Sequence, residues 1–162
     1  MTVTVTAAQS PDTPAIATLM REMDAFYGEP TDEPTEAKMH QITSVLFSEP
    51  PLAYAILARD GERVIGFAAY SFLWPAVSST KSLYLKELYV SASYRKRGIG
   101  RLLMAEILRT AVDNECSRVE WTTDETNTSA RQFYARLGLR ELSSKVFYRV
   151  DGPALLTAVA NS

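Results

Sequence analysis

A chain of 162 residues, 46% apolar and 22% charged, is long enough to bury one core and suits one domain, residues 1–162. The formal net charge of −2 gives no electrostatic support to nucleic-acid binding, and no run approaches the roughly 18 apolar residues of a membrane span. Cys116 is the only cysteine, so no intrachain disulfide can form, and with a single histidine there is no metal-ligand cluster. The first residues, Met1 to Thr6, alternate apolar and polar side chains without the basic start and long apolar run of a secretory signal. A cytoplasmic α/β domain is the expectation.

In chain order, Thr2 to Ala7 alternates as a strand. Ser10-Pro11 reads as a helix start, with Ser10 as N-cap and Pro11 in the first turn. Ile16, Leu19, Met20, Met23 and Phe26 then recur at the three- and four-residue spacing of one helical face, and Gly28 and Pro30 end that helix. A less regular helix is expected from Thr35 to Phe47. Leu52–Ala58 and Val64–Phe72 read as two strands joined through Asp60-Gly61, a strong hairpin signal. Lys81–Val90 is a further strand, Gly98–Asn114 a long amphipathic helix and Arg118–Thr123 a strand. Thr128–Leu137 is a helix stopped by Gly138, Val146–Val150 a last strand and Ala154–Val159 a short terminal helix.

The segment with most chemistry is the strand Leu85-Lys86-Glu87-Leu88-Tyr89-Val90 and the turn Arg95-Lys96-Arg97-Gly98-Ile99-Gly100-Arg101 after it. A helix N-terminus presents unpaired N–H groups and the positive end of a dipole, so it suits a phosphate. Glycines let the backbone approach, and basic side chains add charge-assisted bonds. The same pattern also suits a plain strand-to-helix turn with a solvated basic face. The turn has neither Gly-Lys-Ser/Thr nor Gly-x-Gly-x-x-Gly, which disfavours a nucleotide hydrolase or a dehydrogenase.

Arg95-x-x-Gly98-x-Gly100 directly after this strand, with Asn127-x-x-Ala130-x-x-Phe133-Tyr134-x-x-Leu137-Gly138 downstream, resembles the paired signatures of the GNAT superfamily of acetyltransferases. The resemblance runs along essentially the whole chain. It implies a mixed α/β fold whose mostly antiparallel central sheet is flanked by helices and splays at the cofactor site. It also implies acetyl-CoA as cosubstrate, with no metal. The backbone of Leu88, Tyr89 and Val90 would pair with the pantetheine arm, and the amides from Lys96 to Arg101, with Arg95 beside them, would hold the pyrophosphate. Asn127 and Ala130 would also contact the cofactor; Asn127 reads equally as a helix cap. By similarity Tyr134 contacts the cofactor and is the general acid for the leaving sulfur, while its spacing with Phe133 and Leu137 also suits a packed residue of an amphipathic helix; the Leu88 amide is a candidate oxyanion donor. Glu87 is the candidate general base, acting directly or through water, or else it orients a substrate ammonium or pairs with Lys86 or another basic neighbour.

The pattern is most similar to the spermidine/spermine N-acetyltransferase-like branch. That branch carries two adjacent acids where this chain has Lys86-Glu87, which puts a polyamine acceptor in doubt more than acetyl transfer. From Glu22 to Glu36 there are six acidic residues and no basic one, either an acidic rim for a cationic amine or a solvated loop. Tyr27, Trp74, Tyr84 and Glu87 are candidates for the acceptor side. The expected activity is transfer to a primary amine of a small cationic acceptor (polyamine, diamine or amino-acid-like amine). The alternatives are a protein lysine acetyltransferase and a non-catalytic acetyl-CoA sensor. By analogy with relatives the protein is expected to be a homodimer, with no nucleic-acid or membrane partner.

Overall fold

The computed structural model describes residues 1–162, which divide into two compact units, Met1–Thr122 and Thr123–Ser162. In the first, strand β1 (Val3–Ala7) leads through a 3-10 turn at Ser10–Asp12 into helix α1 (Thr13–Phe26) and helix α2 (Thr35–Leu46). Strands β2 (Tyr54–Asp60), β3 (Arg63–Leu73) and β4 (Ser82–Val90) come next. A 3-10 turn at Ala92–Tyr94 then leads to helix α3 (Ile99–Asp113) and the short strand β5 (Arg118–Glu120). The five strands form one sheet in sequence order, antiparallel except for β4–β5, which is parallel. This is the mixed, mostly antiparallel α/β sheet that the sequence predicts.

The helix expected from Ser10 starts three residues later. Thr13 opens α1 with Pro14 in its first turn, where the missing N–H costs nothing. Ahead of it the Gln9 N–H donates to Asp12 Oδ2 at 2.8 Å and Thr13 Oγ1 donates to the Ser10 carbonyl at 2.8 Å. The alternation of the strands and the 3.6-residue period of the helices then set the layers. Ile16, Ala17, Leu19 and Met23 of α1 and Ile42 of α2 pack with Leu57, Phe67 and Tyr89 on one face of the sheet. On the other face α3 buries Ile99, Leu103, Met104, Ile107 and Ala111. Each fully buried Leu or Ile contributes about 1.5–3 kcal/mol, and Leu57, Ile65, Leu83, Leu103 and Ile107 are wholly inaccessible. Gly66 leaves no room for a side chain against β4: a Cβ there would sit 2.9 Å from the Tyr89 carbonyl oxygen.

The second unit contains helix α4 (Thr128–Arg136) and helix α5 (Gly152–Ala160), and neither helix buries a residue. Asn127 caps α4, its side-chain oxygen accepting from the Ala130 N–H at 3.1 Å. At the other end Gly138 takes φ 75°. The Gly138 N–H bonds the Ala135 carbonyl at 2.9 Å and the Leu139 N–H bonds the Tyr134 carbonyl at 3.1 Å, the paired closure of a Schellman motif. Two expectations change. The strand predicted from Arg118 to Thr123 stops at Glu120, and the strand predicted at Val146–Val150 does not form. A strand exists only through a partner, and residues 123–162 contain no other strand to supply one.

Candidate active site

The site begins with a break in strand pairing. β5 pairs with β4 only at Ser82–Tyr84, while β4 continues to Val90, so from Leu85 onward its outer edge has no neighbouring strand. Against β3, Ala69 faces Glu87 but Tyr70 faces Leu85. Lys86 is therefore the extra residue of a β-bulge, which bends the strand and re-aims the side chains beyond it. Hydrogen-bonded and non-bonded pairs alternate in an antiparallel ladder. The Ser91 N–H bonds the Ile65 carbonyl at 2.9 Å, so the opposed pair Tyr89–Phe67 is bonded, whereas Val90–Gly66 and Leu88–Ala68 are not. The N–H and C=O groups of Leu88 and Val90 accordingly face the open edge, and those of Tyr89 are committed to β3.

The bulge also decides which side chains share a face. Phe67, Ala69 and Ser71 alternate on the α1 side of β3, so their partners Tyr89, Glu87 and Tyr84 lie on that side too. Two of the acceptor-side candidates, Tyr84 and Glu87, are thus brought to one face, and both are half-buried. Tyr27 forms the C-cap of α1 and meets Phe26 edge-on at 5.2 Å. Trp74 stands beyond the end of β3, 72% exposed, with its indole N–H donating to the Ser79 carbonyl at 3.1 Å.

The turn after β4 has the backbone an anion site needs. Lys96 and Gly98 take positive φ values of 61° and 81°, and Gly98 is the N-cap of α3 with no side-chain cap. A left-handed residue followed by helical ones turns successive N–H groups towards one point. Nothing lies within 4 Å of a Cβ built at Gly98, so glycine serves the left-handed conformation there and not close packing. Lys96, Arg97 and Arg101 are exposed, and the Arg97 guanidinium stands 5.4 Å over the Tyr94 ring. Arg95 differs from them. Its guanidinium turns inward over the rings of Phe26 and Tyr89, at 4.1 and 5.2 Å, and its Nε–H donates to the Val90 carbonyl at 3.0 Å. Ile99 is buried as the first core residue of α3, so only its backbone can serve a ligand.

Tyr89 is 4% exposed, and its hydroxyl has no partner in hydrogen-bonding geometry. Burial first, and then the Glu22 charge, hold that phenol above its ordinary pKa, with Arg95 opposing. In the second unit Tyr134 is a half-buried residue of α4, edge-on to Phe133 at 5.0 Å. Asn127 and Ala130 join each other as acceptor and donor of the helix cap, which realises the capping alternative for Asn127.

The acidic run is less free than its composition suggests. Glu22 accepts from Ser91 Oγ and from the Ala92 N–H. Asp24 and Glu33 pair with Lys38, a buried lysine just outside the run. Glu29, Asp32 and Glu36 are left as the carboxylates outside these pairings. Sequence reasoning missed Lys38; the signal was a lone lysine in α2 beside Met39 and Ile42, on what reads as the packed side. Cys116 is half-buried, and burial raises its thiol pKa, which is no setting for a nucleophile. His40 is exposed on α2.

Solved structures share this fold. The integron cassette protein VCH_CASS6 of V. cholerae superposes with a TM-score of 0.88 at 28% identity, covering 100% of this chain and 99% of that one. Residues 16–139 match the model of the Acetyltransferase (GNAT) family, and the chain belongs to that family. It is an acyltransferase enzyme, as the two signatures imply. Among curated relatives, the thialysine N-epsilon-acetyltransferase of Bos taurus is 24% identical over 164 residues, 94% of this chain and 95% of that protein. The L-ornithine N5-acetyltransferase NATA1 of Arabidopsis thaliana is 28% identical over 92 residues, 57% of this chain. The match spans only 40% of the length of that protein.

Proposed function

We propose that the protein transfers the acetyl group of acetyl-CoA to the side-chain amine of a small amino-acid-like acceptor, by direct attack in a ternary complex. The observation that carries the reading is the open edge of β4 ending at the N-terminus of α3. The outward N–H and C=O of Leu88 and the outward N–H of Val90 suit the amides of the pantetheine arm, which need partners once buried, while the Val90 carbonyl accepts from Arg95. The amides from Lys96 to Arg101, with the exposed cations of Lys96, Arg97 and Arg101, suit the pyrophosphate. Thialysine and ornithine, in the names of the two relatives, are amino acids with a second amine. That favours the amino-acid-like member of the expected acceptor classes over a polyamine, in line with Lys86 at the first acidic position of the polyamine branch.

In this scheme Glu87, on the α1 face of the sheet, takes one proton from the acceptor ammonium, directly or through water, and leaves a neutral amine to attack. The amine nitrogen then bonds to the carbonyl carbon, and the developing oxyanion accepts from the Leu88 N–H. When the carbon–sulfur bond breaks, Tyr134 gives its phenolic proton to the departing thiolate, and the second proton shed by the acylated nitrogen passes through water to the Tyr134 phenolate. Both compact units serve one acetyltransferase domain in this reading, because the family match crosses the boundary between them. We also infer a homodimer. Val146, Phe147, Tyr148, Leu155 and Leu156 are all exposed in the single chain, more apolar surface than a monomer ordinarily shows in so short a stretch.

The test is release of free thiol from acetyl-CoA with ornithine, thialysine, lysine, spermidine, putrescine, an aminoglycoside and a lysine peptide in turn. Turnover with ornithine or thialysine, falling about a hundredfold or more in Tyr134→Phe at unchanged acetyl-CoA affinity, is expected. Preference for spermidine or for the peptide overturns the acceptor class, and absence of acetyl-CoA binding overturns the function.

A further inference from the structure

We propose that Arg95 is a positioning residue that anchors the phosphate-binding turn to α1, and that it is not a ligand of the phosphates. The inference rests on the acetyl-CoA reading and refines it, since Arg95 opens the motif that the reading relies on. Three observations carry it. First, the guanidinium carbon lies over two aromatic rings, 4.1 Å from the Phe26 centroid and 5.2 Å from that of Tyr89, with those rings 6.2 Å apart and tilted by 60°. Second, its Nε–H is spent on the Val90 carbonyl at 3.0 Å. A phosphate bound through the Nε edge of the guanidinium needs the donor that is already committed.

Third, α1 grips the same turn again one helical turn earlier. Glu22 and Phe26 are four residues apart and share a face of α1. The Glu22 carboxylate accepts from Ser91 Oγ at 3.1 Å and from the Ala92 N–H at 2.8 Å. Residues 91–92 and 95, on the two flanks of the 3-10 turn, are therefore both tied to α1. That turn delivers the chain into the positive-φ residues Lys96 and Gly98, so its path sets where the amides of α3 converge. Planarity is essential to the arrangement. A lysine keeps the charge of Arg95 but has neither a planar guanidinium to lie over the two rings nor an Nε–H to donate.

A phosphate ligand and a positioning residue differ in four readouts. Acetyl-CoA dissociation constants are measured by calorimetry over a salt series for the wild type, Arg95→Lys, Arg95→Gln, Phe26→Leu and the Phe26→Leu/Arg95→Gln pair. Lys96→Gln serves as the comparator for a lost phosphate contact. Thermal midpoints are recorded alongside, and Phe26 is 54% exposed, so its substitution is well tolerated. If Arg95 positions the turn, Arg95→Gln and Arg95→Lys weaken binding alike, by about five- to thirtyfold. Phe26→Leu weakens it as well, and the double variant stays within about twofold of Arg95→Gln alone. The salt dependence keeps the wild-type slope in every Arg95 variant and flattens only in Lys96→Gln.

Wild-type affinity in Arg95→Lys, no effect of Phe26→Leu, additive losses, or a flattened salt slope in Arg95→Gln each overturn the proposal while leaving the acetyltransferase intact. Should Arg95→Gln fail to fold, Arg95→Lys and Phe26→Leu decide the matter by the same criteria. A wild-type protein that does not bind acetyl-CoA overturns both readings at once.

Discussion

Removing the ammonium of Lys38 should cost more stability than removing any exposed charge in this chain. Its side chain is 5% exposed, with Nζ 3.2 Å from Asp24 Oδ2 and 3.0 Å from Glu33 Oε2, on carboxylates that are 23% and 35% exposed. Burial disfavours the ammonium, but hydrogen bonds to Glu33 and Asp24 and the charges of both acids outweigh it, so the pKa lies above the ordinary lysine value. Breaking a buried ion pair by deleting one partner costs about 3–5 kcal/mol. Both acids here reach water and can rehydrate, so the expected loss for Lys38→Met is smaller, about 2–3 kcal/mol. At about 2–4 °C per kcal/mol for a chain of this size, the thermal midpoint falls by roughly 5–10 °C.

The sign of the pH dependence comes from the raised pKa. A group whose folded pKa exceeds its unfolded one contributes fully below the unfolded value, and the contribution fades as pH rises through the folded value. The gap between Lys38→Met and wild type should therefore be flat from about pH 6 to 9 and close only above the lysine range. The decisive control is Asp24→Asn/Glu33→Gln/Lys38→Met, which removes the stranded acids along with the cation. Thermal unfolding followed by circular dichroism should recover most of the lost midpoint in this triple variant. A single variant within about 2 °C of wild type, or a triple no more stable than the single, would refute the argument that the cation is needed because two acids surround it.

Three further outcomes are expected. Gly66→Ala places a methyl 2.9 Å from the Tyr89 carbonyl oxygen and 3.4 Å from the Val90 Cα, both of them backbone. β4 must shift, so calorimetry should show weaker acetyl-CoA binding together with about 1–3 kcal/mol of lost stability. Asp12 meets Arg59 at 2.7 Å. Burial works against its charge, but the Arg59 and Gln9 hydrogen bonds and the Arg59 charge prevail and lower its pKa. The resulting stability is present above the ordinary aspartate value and is lost as pH falls through the lower folded value. Asp12→Asn should thus narrow the stability gap between neutral pH and strong acid in an acid titration. Glu87→Gln should lower kcat by about a hundredfold with acetyl-CoA affinity unchanged, as read by thiol release and calorimetry; retained kcat with a raised acceptor KM would leave Glu87 the role of orienting the ammonium.

Much of the fold was legible because it depends on period and punctuation. The 3.6-residue spacing of Ile16, Leu19 and Met23, the Asp60-Gly61 hairpin and the left-handed stop at Gly138 each reflect local constraints that neighbouring residues dictate. What could not be read depends on pairing partners. Val146–Val150 has the composition of a strand, yet strand formation needs a neighbour. β5 looks six residues long by composition and pairs over three. The open edge of β4 on which the candidate site depends is that same early end of pairing, and no period within β4 or β5 announces it.

The site divides along the same line. Leu88 and Val90 were candidates through a motif, and the ladder adds why these two, and not Tyr89, turn backbone groups to the open edge. Charge was the least legible quantity. Four of the motif's cations look alike in sequence, but Arg95 is half-buried over Phe26 and Tyr89 while Lys96, Arg97 and Arg101 are exposed. The six acids between Glu22 and Glu36 likewise read as one field, until Lys38 and the Ser91–Ala92 turn claim three of them. A charge acts through what it faces after folding, and the partners here come from other elements: α2 for Asp24 and Glu33, the β4–α3 turn for Glu22, and α1 for Arg95. Of the four cations on that turn, α1 engages one through Phe26 and three stay exposed.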